Sequence, residues 1–575
     1  MKKIVAILFI CSFSIIILKA NHPNSPFPKT GVSFQCSDSL LQQLYNIANK
    51  KLEINLIQFT PTMKVLVEGG GYENAWIETQ PMGGEMYAKR DIQVALNNQL
   101  IFIEGQRADG RMPGMVISTE KSLKMEGNIK TPEGMQWMSK PQLISDFNMF
   151  QGYCFPEPAW KMYFWIGKDK EYLKKLYEAL EKHDAFLWRT RDSNGDGLLE
   201  TWCVWDTGED NSTRLISRNA PTCWPFDFPP TSILMPDPQI KENFKTYWKE
   251  HDLQKLPAPT REEIMVPFAS MDVMSYSFDG RMTLSKISHE LENGLESYWL
   301  EKADEVRETM ITDLWDSTHN AFFDKDKNGK QLEELIHNNL RTMYHGAMTQ
   351  TMADKFVKNH LLNTNEFWTS FPLPSIAKNE SLFCSDSNNN WSGQPQGLTY
   401  QRAIRALENY GYYEEITTLG NILFKIIEKS DWKFTQQFDP ELAKPASPKQ
   451  DAYGPTILSV LEYISRMHGI YIDITSNQIW WSTCDNLDFT YTQRLGEKEW
   501  KLNSKNGNFT AILNGKTLLT CNTGVRIVSD FNGNILKLIG ISSCSKSIII
   551  NSKNKSNLFT ISPNKVIFIN ANMQK

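Results

Sequence analysis

Trp202-Cys203-Val204-Trp205-Asp206-Thr207-Gly208-Glu209-Asp210-Asn211-Ser212-Thr213-Arg214 crowds carboxylates, an amide, an arginine and two indoles around one glycine. A core helix or strand would not carry that mixture. A polar site would: flat rings offer apolar faces, carboxylates and amides pair with hydroxyls, and one acid can protonate a leaving oxygen. Related mixtures recur along the chain. They are Trp76-Ile77-Glu78-Thr79-Gln80, Gln106-Arg107-Ala108-Asp109-Gly110-Arg111, Asn390-Trp391-Ser392-Gly393-Gln394-Pro395-Gln396-Gly397 and Phe434-Thr435-Gln436-Gln437-Phe438-Asp439-Pro440-Glu441. Any one of them alone reads as a hydrogen-bonded surface loop. Together, alternating with helical segments, they read as one site built from several loops.

The segments between them have helical spacing. Tyr172, Leu173, Leu176, Tyr177 and Leu180 share a face, as do Trp299, Ala303, Val306, Met310 and Leu314. Ala403, Ile404 and Leu407 predict one helix and Ile416, Leu419, Leu423 and Ile426 the next, joined at Asn409-Tyr410-Gly411 as a helical hairpin. Thr456 to Ile464 predicts another after Gly454-Pro455. Paired helices from about Asp38 to Ile472, without a short exact repeat, suggest a helical toroid or bundle rather than a solenoid.

Beyond Ile479 the texture changes to short β-type runs. Phe509–Leu513 and Lys516–Leu519 flank Asn514-Gly515; Val525–Val528 and Ile535–Ile539 flank Asn532-Gly533. Asn-Gly between apolar runs is a strong hairpin signal. The chain therefore divides into a leader at 1–20, a mainly helical domain at 21–478, and a small antiparallel β domain at 479–575 that caps it.

Lys2-Lys3 followed by the apolar run Ile4–Leu18 reads as a signal peptide, so the protein is expected to be secreted or periplasmic, with no membrane contact after cleavage near Ala20. The 575 residues carry 61 Lys+Arg against 66 Asp+Glu, a charge of −5. Losing Lys2, Lys3 and Lys19 takes it to about −8, so nucleic acid is not an expected partner. The remaining cysteines are too sparse for a disulfide scaffold; Cys203 with Cys223 and Cys521 with Cys544 are conceivable pairs, and buried thiols the alternative. Asp192–Gly197 and Asp324–Gly329 begin like calcium loops but place Cys203 and Leu335 where the closing Glu belongs, so they read as Asx turns. No metal is implied. Gly69-Gly70-Gly71 has no dinucleotide spacing and reads as a loop without a cofactor.

The loop motifs, in their order along residues 35–475, resemble those of the (α/α)6-barrel, six-hairpin glycoside hydrolases, above all trehalases and the family 63 group of processing α-glucosidase and mannosylglycerate hydrolase. Asp206-Thr207-Gly208-Glu209-Asp210-Asn211-Ser212 is similar to their E-S-G-M-D-N-S, Gln106–Gly114 to Q-x-x-D-G-x-x-P, Phe371-Pro372-Leu373-Pro374-Ser375 to Y-P-L-P-S, and Trp391-Ser392-Gly393-Gln394-Pro395 to W-R-G-P. The resemblance implies an (α/α)6 barrel with a C-terminal β domain. It also implies hydrolysis of a glycosidic bond, α-linked by expectation, with inversion, no cofactor and a carbohydrate as partner. Asp210 takes the general-acid role. Trp205 and Trp391 are expected to wall its pocket, and Glu209 and Asp206 to raise its pKa by repulsion. Asn211 and Arg214 are expected to orient hydroxyls, with Trp76, Glu78, Arg107, Asp109, Gln396 and Gln436 as further contacts. The family's base is a Glu in E-x-Y-D-P, and the matching position here is Gln436, which cannot take a proton from water. Asp439, Glu441 and Glu78 are the substitutes, with Asp439 or Glu441 expected ~6.5–9.5 Å from Asp210. If none serves, the chain reads as a carbohydrate-binding relative that has lost its base. A polysaccharide lyase on the same toroid lacks its Tyr/His cluster.

Overall fold

A computed structural model describes residues 26–118, 136–140, 143–147, 150–220, 264, 266, 268–386, 391–447, 449–552 and 555–569. The leader expected at 1–20, Cys223 and Asn390 lie outside them.

The helices come in packed pairs. Gln80–Tyr87 packs on Ile92–Glu104, Pro156–Trp165 on Lys170–Thr190, and Met271–Leu291 on Glu296–Asp313. Asn338–His345 is followed by Gln350–Phe356, and Gly397–Asn409 packs on Tyr413–Lys429. Gly454–Met467 finds its companion at the other end of the chain, in Ser39–Ile54. The first helix of each pair touches the first helix of the next, and Gly454–Met467 returns to Gln80–Tyr87, closing the circuit.

The two kinds of helix differ because their surroundings differ. Glu296–Asp313 buries Trp299, Ala303, Val306 and Met310 and leaves its other faces to solvent, the one-sided pattern of a surface helix. Lys170–Thr190 does the same with Tyr172, Leu173, Leu176, Tyr177 and Leu180, and Asp169 caps it by accepting from the amides of Glu171 and Tyr172. Helices of the inner circuit are covered on all sides: Gly454–Met467 is buried throughout, and Asn338–His345 is buried although it carries Asn338, Asn339, Arg341, Thr342 and His345. Tyr410-Gly411-Tyr412 makes the expected helical hairpin, with Gly411 at φ 81° closing the turn.

The C-terminal strands form two antiparallel sheets. One runs in the order 468–473, 478–483, 525–530, 535–540, 566–568. The other runs 30–36, 489–495, 498–505, 508–513, 516–522, 546–552, 555–561. Its edge strand, Thr30–Cys36, comes from the start of the described chain and pairs along Phe489–Leu495. Asn514 and Gly515, at φ 47° and 78°, make the left-handed two-residue turn that the hairpin at 508–522 requires. At the second hairpin Asp530 instead organises a longer turn, accepting from the amides of Asn532 and Asn534. Cys521 and Cys544 are both free thiols, one buried and one exposed, so that conceived pair does not form. Among the described residues no helix is long and apolar enough to cross a membrane.

Candidate active site

The residues that precede the inner helices meet at one end of the circuit. Thr79, Phe155, Ser270, His337, Gln396 and Tyr453 are the cap residues of those six helices. Contacts knit this end together: Thr399 reaches the cap His337 at 3.4 Å, and the amide of Gly454 donates to the carbonyl of Glu68 at 2.6 Å. Helix N-termini converging this way favour negative charge near them, and buried carboxylates gather here.

Each residue of the 206–212 motif has a separate task. Asp206 is fully buried in a two-point pair with Arg191, at 2.5 and 3.1 Å, and accepts from the amide of Trp202. Arg341 donates to the carbonyl of Thr207 at 2.5 Å. Gly208 sits at φ 69° against Glu78, where a Cβ would lie 2.6 Å from the Glu78 carboxylate, so only glycine fits. Glu209 accepts from Arg214 Nε and Nη2, from the Thr207 hydroxyl and from Asn338. Against the rise that burial alone would cause, Arg214, with Arg341 and His337 nearby, holds its carboxyl well below the usual range. Asn211 takes a left-handed φ of 59° and Ser212 starts a short helical turn. With its neighbours anchored, Asp210 is left half-buried, its carbonyl accepting from the amide of Trp391 at 3.3 Å. Ser392 clasps the same loop through the amide of Thr213 at 2.7 Å.

Glu78 lies beneath. It is 4% exposed, accepts from Gln151 at 3.3 Å and faces Arg402 at 3.5 Å. Burial pushes its pKa up to about 7; Arg402 and Arg341 oppose the rise and Asp210 adds to it. Below about pH 4.5 this carboxyl is protonated in both folded and unfolded chains. Between there and pH 7 the unfolded chain ionises it and the fold resists, so stability is lost as pH rises through that window. Glu78→Gln should flatten that part of the loss: its denaturation midpoint should change less between pH 5 and 7.5 than that of the wild type. An equal change in both proteins would refute the burial argument.

Several expected contacts have other employment. Arg214 is 1% exposed and locked between Glu209 and Asp324, the latter at 2.9 Å, so it orients no sugar hydroxyl. Glu209 and Asp206, expected to repel Asp210, are each paired with an arginine. Arg107 and Asp109 pair with each other at 2.8 and 2.6 Å, and Arg107 lies against the Phe147 and Phe186 rings; the pair braces its own turn. Trp205 packs against Val204, Leu215, Val266, Phe268 and Leu332, and Trp76 against Met115, Ile117 and Ile144. Trp391 is 2% exposed, edge-on to His337. Gln396 is buried as the cap of its helix, and Asn211 is exposed. Both substitute bases near Gln436 have other partners. Asp439 caps the amides of Glu441 and Leu442 at 2.9 Å, and Glu441 stands in solvent paired with Lys378 at 2.7 Å.

Sequence reading passed over Glu68, Tyr72 and the Asp272–Arg341 pair. Asp272 holds Arg341 at 2.7 Å and accepts from Asn338, which links it to Glu209. Tyr72 donates to Gln436 at 3.3 Å. Glu68, 5% exposed, accepts from Tyr453 at 2.7 Å. Burial raises its pKa well above the ordinary value, with Glu78 and Asp210 adding to the rise. A carboxylate beside a triple glycine and preceded by Val65-Leu66-Val67 was the available signal. Away from this site, His468, Cys484 and Asp485 of the β region are the cluster among the described residues whose spacing would suit a metal ion.

Several buried carboxyls sharing one field, part neutralised by arginines and part not, provide what glycoside hydrolysis requires: groups that differ in proton affinity side by side. Residues 80–453 match the family model of the mannosylglycerate hydrolase MGH1-like glycoside hydrolase domain. The chain belongs to that family and is a glycoside hydrolase. The GH63 mannosylglycerate hydrolase from Thermus thermophilus in complex with glucose is similar in fold, with a TM-score of 0.55 and 15% identity over 73% of this chain and 99% of that one. The same enzyme in complex with Tris gives 0.57 and 16% over the same shares. A structure of a sialidase matches 87% of this chain and 41% of its own with a TM-score of 0.57 and 14% identity. No curated protein sequence matches.

Proposed function

We propose that the protein is an exported hydrolase of an α-linked glycoside, working with inversion in an (α/α)6 barrel. The closed circuit of first helices, each backed by a second, supports the barrel. Lys2-Lys3 and Ile4–Leu18 support export. The observation that carries the chemistry is Asp210, half-buried in the field of the buried Glu78 and Glu68. Like-charged neighbours favour its protonated form, which a general acid needs. In the reaction Asp210 gives its proton to the leaving oxygen while water attacks the anomeric carbon from the opposite face.

A mannosylglycerate hydrolase among the structural relatives makes small α-linked mannosides and glucosides the first substrates to try. The test is a product-resolved screen against α-linked disaccharides and glycosylglycerates, using protein recovered after export, whose first residue should lie near Asn21. Release of free sugar supports the reading. Gln436 at the family's base position favours a second reading, a carbohydrate-binding relative. Saturable binding of these sugars without any hydrolysis would establish it.

A further inference from the structure

The position that the family gives to its base holds Gln436, and Asp439 and Glu441 are engaged elsewhere. Two buried glutamates share the field of Asp210. Glu78 is engaged on both oxygens: its buried Oε1 takes no hydrogen bond but lies against Gly208 and 3.5 Å from Arg402, and Gln151 bonds its Oε2. Glu68 differs. Tyr453 fixes its Oε1 at 2.7 Å, while its Oε2 takes no hydrogen bond from a described residue and keeps a trace of solvent contact.

Gln436 presents the complementary arrangement. Its Oε1 accepts from Tyr72 at 3.3 Å and Gln450 at 3.4 Å, leaving the Nε2 donor without a described partner. The two residues belong to one framework. Gln450 also donates to the carbonyl of Gly70 at 3.1 Å, two residues beyond Glu68, and Tyr72 lies in the electric field of Glu68. Gly69 and Gly70 carry φ of 75° and 66°, and a Cβ on Gly69 would lie 2.4 Å from the carbonyl of Ala452. The glycines thus let the Glu68 segment close onto the 450–454 segment that holds Gln436.

We propose that Glu68 is the general base of the reaction, acting on a water whose hydrogen-bond partner is Gln436 Nε2. The proposal rests on the hydrolase reading above. The water oxygen bonds to the anomeric carbon as the glycosidic C–O bond breaks. Glu68 takes the water's proton and the leaving oxygen takes that of Asp210, so atoms and charge balance, and solvent restores both groups. Glu78, Asp210, Tyr72 and Tyr453 are the titratable groups facing Glu68. Their sum with burial puts the acid limb of kcat/KM above the range of an ordinary glutamate.

The experiment compares wild type, Asp210→Asn and Glu68→Gln on an α-linked disaccharide cleaved by the wild type and on α-D-glucosyl and α-D-mannosyl fluoride, with and without sodium azide. Fluoride leaves without a proton, so Asp210→Asn should lose ~10²-fold or more on the disaccharide and recover on a fluoride. Water activation is needed for both substrates, so Glu68→Gln should lose ~10²-fold or more on both. Azide should restore it, giving the β-glycosyl azide. Tyr453→Phe, which removes a bond to the ionised carboxylate, should move the acid limb to higher pH. Glu68→Gln at the wild-type rate, loss without azide rescue, or an unmoved limb in Tyr453→Phe overturns the base role and leaves the hydrolase reading standing. A wild type inert toward every substrate overturns both.

Discussion

Asp210→Asn should cut turnover of an α-linked disaccharide by ~10²-fold or more, the usual scale for a lost general acid, with thermal unfolding unchanged. The side chain is isosteric. Asp206 with Arg191, Thr207 with Arg341, and Glu209 with Arg214 hold the backbone on either side. The loss should fall on kcat rather than KM, because the proton is transferred only in the transition state. A variant that hydrolyses the disaccharide as fast as wild type would remove Asp210 from the chemistry.

The second large effect is on stability. Arg214→Met leaves Glu209 and Asp324 buried without their shared cation. Removing one partner of a buried pair costs about 3–5 kcal/mol, which denaturant unfolding would read as a fall in midpoint at pH 7. The sign with pH follows from Glu209, whose folded pKa is depressed. Its contribution is present above the unfolded value near 4.5 and is lost as pH falls, so variant and wild type should converge in acid. A midpoint within experimental error of wild type at pH 7 would mean that the network is not stabilising.

Outer helices were legible because solvent writes a pattern on them. Trp299, Ala303, Val306 and Met310 recur on one face, and those residues are buried. Of the inner helices, Gly397–Asn409 and Gly454–Met467 were legible from Ala403, Ile404 and Leu407 and from the run Thr456–Ile464 after Gly454-Pro455, while Asn338–His345, polar at the site end, was not. Asn338–His345 has only Leu340, Met343 and Tyr344 on one face and polar residues elsewhere, yet every residue is buried. The Asp206–Ser212 motif was legible as a unit, but the duties inside it were not. In sequence Glu209 reads as a repelling neighbour of Asp210 and Arg214 as a ligand contact, and only the fold brings Asp324 and Asn338 to occupy them. Arg107 and Asp109 misled for the opposite reason, as near neighbours that satisfy each other. Glu68 was missed because its partners lie far along the chain: Tyr453 bonds it, and Gly454 donates to its carbonyl.

Proton NMR of the first sugar released from an α-linked substrate tests the central claim most directly. Inverting hydrolysis, with Asp210 as acid and water on the opposite face, predicts that the β anomer appears first and then mutarotates. Initial appearance of the α anomer would mean a covalent intermediate and retention, and would contradict the account.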